Sequence, residues 1–341
     1  MEEIQNTNPA EIVASIDHLL ARILSLLPLK SLLRFKSVSK DWLSLLTNPL
    51  FCNLHYPNPN PAVGLFLPSA DDHQLFDYVP FSAKESTSPP FRKPEFIDDI
   101  SGVRILQSCN GLLLCCSVDR YYVYNPTTNS CSELPKPDER TGILNGISLG
   151  FDPVKSRHYD VVCVWSLQVD CSDNSQFLIG IYSSETRSWR LCGDPFAAMV
   201  NFDKGVYWNG AIHWLGIGEG ESLYFNIDNQ VLDKMPMLPL RYHRNSRSDY
   251  FFGQSCGHLH FIETPCSTIQ FDVYEMKRDY SEWFVKYQVN LTPVVAANRE
   301  MIWGHINPMG WYNLVFSVFT VVCGEHEEDS FLVLQSPKKI I

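Results

Sequence analysis

The sequence predicts a small all-α unit of three helices followed by a large all-β domain of β-propeller-like repeats, and three observations predict it. Apolar residues recur at helical spacing between residues 13 and 55; a proline-rich hexapeptide follows; and from residue 62 onward, short runs rich in Val, Ile, Phe, Tyr and Trp return about every 50 residues.

The helical unit comes first. From Asp17 the apolar residues fall at Leu19, Leu20, Ile23, Leu24 and Leu27, a wide helical stripe that Pro28 stops. A second helix is expected over about Ser31–Ser37 with Leu32, Leu33 and Phe35, and a third over about Ser39–Thr47, where Val38, Trp42, Leu45 and Leu46 come within reach of one face before Asn48-Pro49 ends it. Each is shorter than the roughly 12 to 15 residues needed for marginal independent helicity, so packing must hold them. The apolar side chains are too numerous for so small a unit to hide, and surplus exposed apolar area marks a contact surface.

Tyr56-Pro57-Asn58-Pro59-Asn60-Pro61 cannot continue a helix and reads as a stiff, extended linker. Beyond it no helical period stands out. Cys109-Asn110-Gly111-Leu112, Trp208-Asn209-Gly210-Ala211 and Cys256-Gly257-His258-Leu259 occupy one repeated slot, which His158–Cys163 fits more loosely. A second slot follows each, at Tyr121–Pro126, Leu178–Ser183, Leu223–Asp228 and Ile269–Tyr274, and a closing run such as Thr186–Leu191 ends the unit. Repeats of this length with about four strands are the mark of a propeller blade, and about six are expected here, the first and last irregular. The apolar stretch Leu314–Cys323 is half of the roughly 20 residues a membrane helix needs and reads as a buried strand. Phe331–Pro337 reads as another strand, and the repeat calls for a further one where the chain ends at Ile341, which leaves room for a C-terminal truncation.

Charge divides the chain the same way. The formal charge is -11, yet residues 13–53 hold five bases (Arg22, Lys30, Arg34, Lys36, Lys40) against Asp17 and Asp41. An acidic body repels nucleic acid, and the basic head is drawn to an acidic protein. The 11 cysteines are odd in number and follow no export signal, so reduced thiols and a cytoplasmic or nuclear location are expected, with residues 1–12 disordered. Cys256, His258 and His260 would share a strand face at i, i+2, i+4, but their slot holds no metal ligands elsewhere in the repeat; no metal and no cofactor are expected. One connection departs from the acidic background: Leu238–Asp249 carries Arg241, Tyr242, Arg244 and Arg247, residue types favoured at binding hot spots.

Leu19–Trp42, with its Leu27-Pro28 turn, the Lys30-Ser31-Leu32-Leu33-Arg34-Phe35 run and the Val38-Ser39-Lys40-x-Trp42 ending, resembles the plant F-box. It departs at the front, where Ser15-Ile16 stand for the usual Leu-Pro and His18 and Arg22 for the usual acids. Ser108-Cys109-Asn110-Gly111-Leu112, Tyr124-Asn125-Pro126-Thr127-Thr128 and Gly150-Phe151-Asp152-Pro153 resemble the F-box-associated, kelch-like domain that follows many plant F-boxes, although the double-glycine kelch signature is absent. The resemblance implies an F-box over residues 13–55, a linker over 56–61 and an F-box-associated domain over 62–341. It implies a receptor subunit of an SCF-type ubiquitin ligase that docks on a Skp-family adaptor and, through it, on cullin and RING subunits. Carried over by position, Leu20, Ile23, Leu24, Pro28, Leu32, Val38, Lys40 and Trp42 make that contact or hold the contact helices, with Leu19, Leu33, Phe35, Leu45 and Leu46 as interior. The β domain would then bind the protein substrate, with the Arg241–Arg247 loop as the candidate surface. Two other classes stay open on the sequence: an F-box scaffold acting outside a ligase, and a propeller enzyme, for which no nucleophile motif, phosphate loop or carboxylate pair is found.

Overall fold

The computed structural model describes residues 16–27, 29–48, 51, 64–68, 76–81, 103–118, 120–136, 142–167, 176–216, 220–238, 240, 248–265, 269–302, 315–322, 324, 329–336 and 340–341. Two compact units divide the chain, one holding the N-terminal helices and the other the β-sheets.

The helical unit consists of α1 (Asp17–Leu24), α2 (Leu29–Phe35) and α3 (Lys40–Thr47). The first helix ends earlier than the proline alone predicts: Ser25–Leu27 turn out of it, the Ser25 Oγ donating to the Arg22 carbonyl at 2.8 Å. Ser39 caps α3, its Oγ accepting from the Trp42 N–H at 3.1 Å, which satisfies one of the orphan donors of the first turn. Leu20, Ala21, Leu24, Leu32, Leu46 and Phe51 form the interior, with Leu27, Phe35, Trp42 and Leu45 packed against it.

Among the described residues the β unit contains four antiparallel four-stranded sheets, each a meander in chain order: β3 (Arg104–Cys109), β4 (Leu112–Ser117), β5 (Arg120–Asn125) and β6 (Ser130–Glu133); β7 (Ile143–Gly150), β8 (Asp160–Ser166), β9 (Gln176–Ser183) and β10 (Ser188–Ala197); β11 (Val206–Trp208), β12 (Ala211–Trp214), β13 (Leu223–Asn226) and β14 (Val231–Lys234); and β15 (Ser248–Ser255), β16 (His258–Pro265), β17 (Gln270–Met276) and β18 (Trp283–Asn290). Two-stranded sheets precede and follow them, β1 (Gly64–Pro68) with β2 (Phe76–Pro80) and β19 (Ser317–Val322) with β20 (Phe331–Gln335). The first strands of successive sheets lie side by side, β3 by β7, β7 by β11, β11 by β15 and β15 by β19. That is the arrangement of propeller blades around an axis.

The repeated slots of the sequence now have a physical meaning. Asn110-Gly111, Asn209-Gly210 and Cys256-Gly257 are the turns joining first and second strands, and all six residues have positive φ, from 45° to 89°. Two successive left-handed residues make a type I′ hairpin, whose twist matches that of the strands. The loose fit at His158–Cys163 is explained too, because the second sheet joins β7 to β8 through residues 151–159 rather than a tight turn. The second slot is the third strand in every sheet, β5, β9, β13 and β17.

Inner strands are buried on both faces, and side chains that alternate between those faces lock neighbouring sheets together. On β8, Val161, Cys163 and Trp165 pack on the first sheet with Cys109, Leu112, Leu114 and Val123. The intervening Val162 and Val164 pack on the third sheet with Ile212, Trp214 and Phe225. A further cluster joins the third and fourth sheets through Trp208, Leu259, Phe261 and Met276, and another joins the fourth to β19 and β20. Each sheet is thus stabilised through its nearest neighbours.

Polar bonds repeat this logic at the rims. The Trp189 Nε1 donates to the Pro135 carbonyl at 2.8 Å and the Trp283 Nε1 to the Pro236 carbonyl at 3.3 Å. In both cases an indole on a last strand reaches the second residue beyond the last strand of the preceding sheet. The Asn110 Nδ2 likewise donates to the Phe151 carbonyl at 2.7 Å, and the Asn209 Nδ2 to the Arg278 carbonyl at 3.2 Å.

Phe81, beyond β2, meets Phe331 of β20 edge to face at 5.4 Å, so the first and last hairpins touch. Leu314–Cys323 supplies β19, with Val318, Val321 and Val322 buried. Leu334 and Ile341 exchange backbone hydrogen bonds of 2.8 Å, part of an isolated antiparallel bridge beside β20. Among the described residues three short elements depart from an all-strand reading of this unit: Phe202–Lys204 and Arg299–Met301 form single 3-10 turns, and Thr292–Ala297 forms the short helix α4, with Pro near its start where a missing N–H costs nothing.

Candidate adaptor-docking and capture surfaces

The helical unit turns one stripe of α1 inward and another outward. Leu20, Ala21 and Leu24 are buried, whereas Leu19, Ile23 and Leu26 are 39%, 49% and 82% exposed. Val38 and Leu43 add exposed apolar area beside and on α3. The structure therefore sorts the residues singled out above. Ile23, Val38 and Lys40 are accessible for contact; Leu20, Leu24 and Leu32 are interior and hold the helices; Trp42 is half-buried, its ring edge-to-face with Phe35 at 5.4 Å. Pro28 and the Leu33 side chain lie outside the described residues. Leu19 is corrected from interior to surface. The stripe beginning at Leu19 is wider than the interior can accept, and the spacing alone does not say which edge is left out. Leu26 and Leu43 were not singled out; Leu26 is exposed in the turn that follows α1 and Leu43 on α3.

Cations share this surface. Arg22, Arg34 and Lys40 are exposed, and among the described residues no carboxylate pairs with them.

In the β unit, Arg241, Tyr242, Arg244 and Arg247 lie outside the described residues. The Cys256, His258 and His260 trio does not share a strand face, because Cys256 occupies the turn at φ 51° and β16 begins at His258. The His258 Nδ1 instead contacts the Glu275 Oε1 at 2.7 Å, and the Lys286 Nζ lies 4.0 Å from the other oxygen. The Glu275 carboxyl is held below its ordinary range: burial pushes it up, but His258, His260 and Lys286 together more than offset that. Among the described residues no group of three or more His, Cys, Asp or Glu side chains is placed to hold a metal ion.

Two imidazoles are buried. His213 has its Nδ1 3.1 Å from the Val206 carbonyl and its Nε2 2.9 Å from the Tyr280 hydroxyl, in a stack with Tyr224 and Tyr280 that bridges the third and fourth sheets. Burial lowers its pKa to about 4. His260 is lowered to about 4 as well, mainly by burial, and neither ring nitrogen has a hydrogen-bond partner. Nothing in this arrangement pairs a nucleophile with a base; both rings are neutral members of the packing. Among the described residues, no helix is long and apolar enough to cross a membrane.

The described residues thus make a small helical unit with an outward apolar and basic surface, followed in the chain by a domain of four-stranded sheets. Comparison with known families agrees: residues 17–54 match the F-box domain and residues 78–280 the F-box associated β-propeller domain. The chain belongs to the F-box proteins that carry this propeller. It is similar to F-box protein At5g07610 of Arabidopsis thaliana, with 36% identity covering 98% of this chain and 84% of the relative. It is also similar to F-box protein At5g49610 of the same plant, with 26% identity covering 81% of this chain and 79% of the relative. Among solved structures it is similar to TolB from Acinetobacter baumannii at 10% identity, with a TM-score of 0.35 over 82% of this chain and 59% of that one, a likeness too slight to carry weight.

Proposed function

We propose that this protein is the substrate-recognition subunit of an SCF-type ubiquitin ligase. F-box domains generally bind Skp-type adaptors, and F-box proteins of this kind generally act as SCF substrate receptors. The supporting observation is the surface of the helical unit: Leu19, Ile23 and Leu43 stand exposed on helices too short to be stable alone and Leu26 and Val38 in the turns beside them, together with cations that have no ion-pair partner among the described residues. Ile23, Val38 and Lys40 then touch the adaptor, Leu19, Leu26 and Leu43 extend the contact, and Leu20, Leu24, Leu32 and Trp42 hold it in shape. Cullin and RING subunits follow through the adaptor.

The β domain, with its two hairpins read as the irregular first and last of about six blades, serves as the substrate scaffold. Both domain types are typically non-catalytic, and the protein acts by holding a target near the ligase. The capture surface we favour is the Arg241, Tyr242, Arg244 and Arg247 connection, a basic loop in an acidic chain of the kind propellers use for recognition. We place the protein in the cytoplasm or nucleus.

The test is reconstitution. The full chain, mixed with a Skp-type adaptor, cullin and RING subunits, is expected to form one complex and to support ubiquitin transfer to a captured protein. A chain that binds the adaptor but never recruits cullin is a scaffold outside a ligase. A chain that binds no adaptor is not a receptor of this type.

A further inference from the structure

We infer that hairpin β1–β2 closes the β unit into a ring, seated between the last hairpin, β19–β20, and the first four-stranded sheet, and that this seam is where the ring opens; the inference rests on the propeller reading just given. The four-stranded sheets form a row in chain order, each joined to the next by a shared apolar cluster, and the fourth is joined in the same way to β19 and β20. A row of packed sheets has two end faces. In an open row both would meet water, and their apolar side chains would be exposed.

Both end faces are instead buried. On β19–β20, Leu332 and Leu334 pack toward the fourth sheet, so the alternating Phe331 and Val333 point the other way, with Val322 beside Phe331 as its cross-strand partner. Val322 and Val333 are each only 4% exposed. On the first sheet, Leu112 and Leu114 pack toward the second, and the alternating Leu113 and Cys115 form a separate buried cluster with Tyr122 and Tyr124 that takes no residue from the other four-stranded sheets. Phe81 shows what lies against the first of these faces. It directly follows β2, and its ring meets that of Phe331, on the outward face of β20, at 5.4 Å and 87°. Among the described residues β1–β2 is the one sheet not already in the row, so it is the sheet available to close it. No strand pairing joins β2 to β20 there, and both rings stay partly exposed, Phe331 by 44%. Every other junction is a cluster of buried side chains, which makes this one the first to open.

The experiment is hydrogen exchange, read by mass spectrometry on the full chain, wild type and Phe81→Leu, Phe81→Ala, Phe331→Leu, Phe331→Ala and the double leucine variant. The leucine variants keep most of the apolar volume and lose the edge-to-face contact, so they read the seam even where an alanine variant fails to fold. Each is expected to speed exchange about two- to tenfold in two places far apart in the chain, β19–β20 and the first sheet, while β11–β14 keep their protection. The double variant is expected to do no more than either single one, since both open the same seam. Faster exchange confined to the hairpin that carries the substitution, or effects that add in the double variant, overturns the inference. Trp189→Phe, which removes the bond between the second sheet and the residues just past the first, is the control. Faster exchange in both of those sheets with Trp189→Phe, but an unchanged first sheet in the seam variants, overturns the seam and leaves the blade packing intact. No response to Trp189→Phe in either sheet overturns the blade packing, and this inference with it.

Discussion

The helical unit and the β unit handle the same kind of side chain in opposite ways. Of the twenty large hydrophobic side chains exposed among the described residues, five fall between Leu19 and Leu43, while the much larger β unit has the other fifteen. In the β unit, β8 alternates its apolar residues between the first and third sheets, so both its faces find partners within the same domain. The three short helices have one shared interior, and Leu19, Ile23, Leu26, Val38 and Leu43 lie exposed outside it. The difference is between a β unit whose strands cover one another's apolar faces and a helical unit whose described residues leave an apolar stripe exposed, the stripe that the proposed adaptor contact would cover.

The strongest way to break that comparison is to empty the helical interior. Leu24→Ala with Trp42→Ala is expected to abolish adaptor binding, each truncation costing about 2 to 5 kcal/mol, while the β unit unfolds at its usual denaturant midpoint. A pull-down with denaturation followed by β-sheet circular dichroism checks both halves. Trp214→Ala applies the converse lesion. Trp214 is fully buried between the second and third sheets, and its loss is expected to lower β-unit stability by about 3 to 5 kcal/mol without changing adaptor affinity. A matching loss of adaptor affinity would show that the two units do not act separately.

Acid sharpens the contrast. His213 and His260 have pKa values lowered from 6.5 to about 4 in the folded chain, so between those values the unfolded chain binds more protons. Their contribution is therefore complete above pH 6.5 and is lost as pH falls toward 4, by about 3 kcal/mol for each ring. The β unit should weaken steeply over this window in denaturant titrations at stepped pH, and His213→Gln should make the slope shallower. The smallest effect concerns the rim bonds. Trp189→Phe removes a 2.8 Å bond to Pro135 and is expected to cost about 1 kcal/mol, with Trp283→Phe costing less because its bond to Pro236 is 3.3 Å long. Chemical denaturation of the two variants side by side checks the order.

Much of the β unit was legible because its signals are local. Asn-Gly within an apolar run specifies a type I′ hairpin whatever surrounds it, and the tyrosine- and isoleucine-rich third strands follow at a regular distance. Helix α4 was not legible: Thr292-Pro293-Val294-Val295 has the β-branched composition of a strand, and only Pro293 near the start points to a helix. Cys256 misled for a similar reason. Its spacing to His258 suits a strand face, but the residue occupies the turn position that asparagine fills in two other sheets.

By itself the sequence determined the three helices, the strand repeat and the separation of a basic head from an acidic body, since periodicity, turn chemistry and charge are properties of neighbours along the chain. Tertiary structure alone decided which edge of the first helix faces outward, that Trp189 and Trp283 bond to the preceding sheet, and that His213 is sealed in a tyrosine stack. These depend on what another segment places opposite, and a helical stripe wider than its interior leaves that choice to packing.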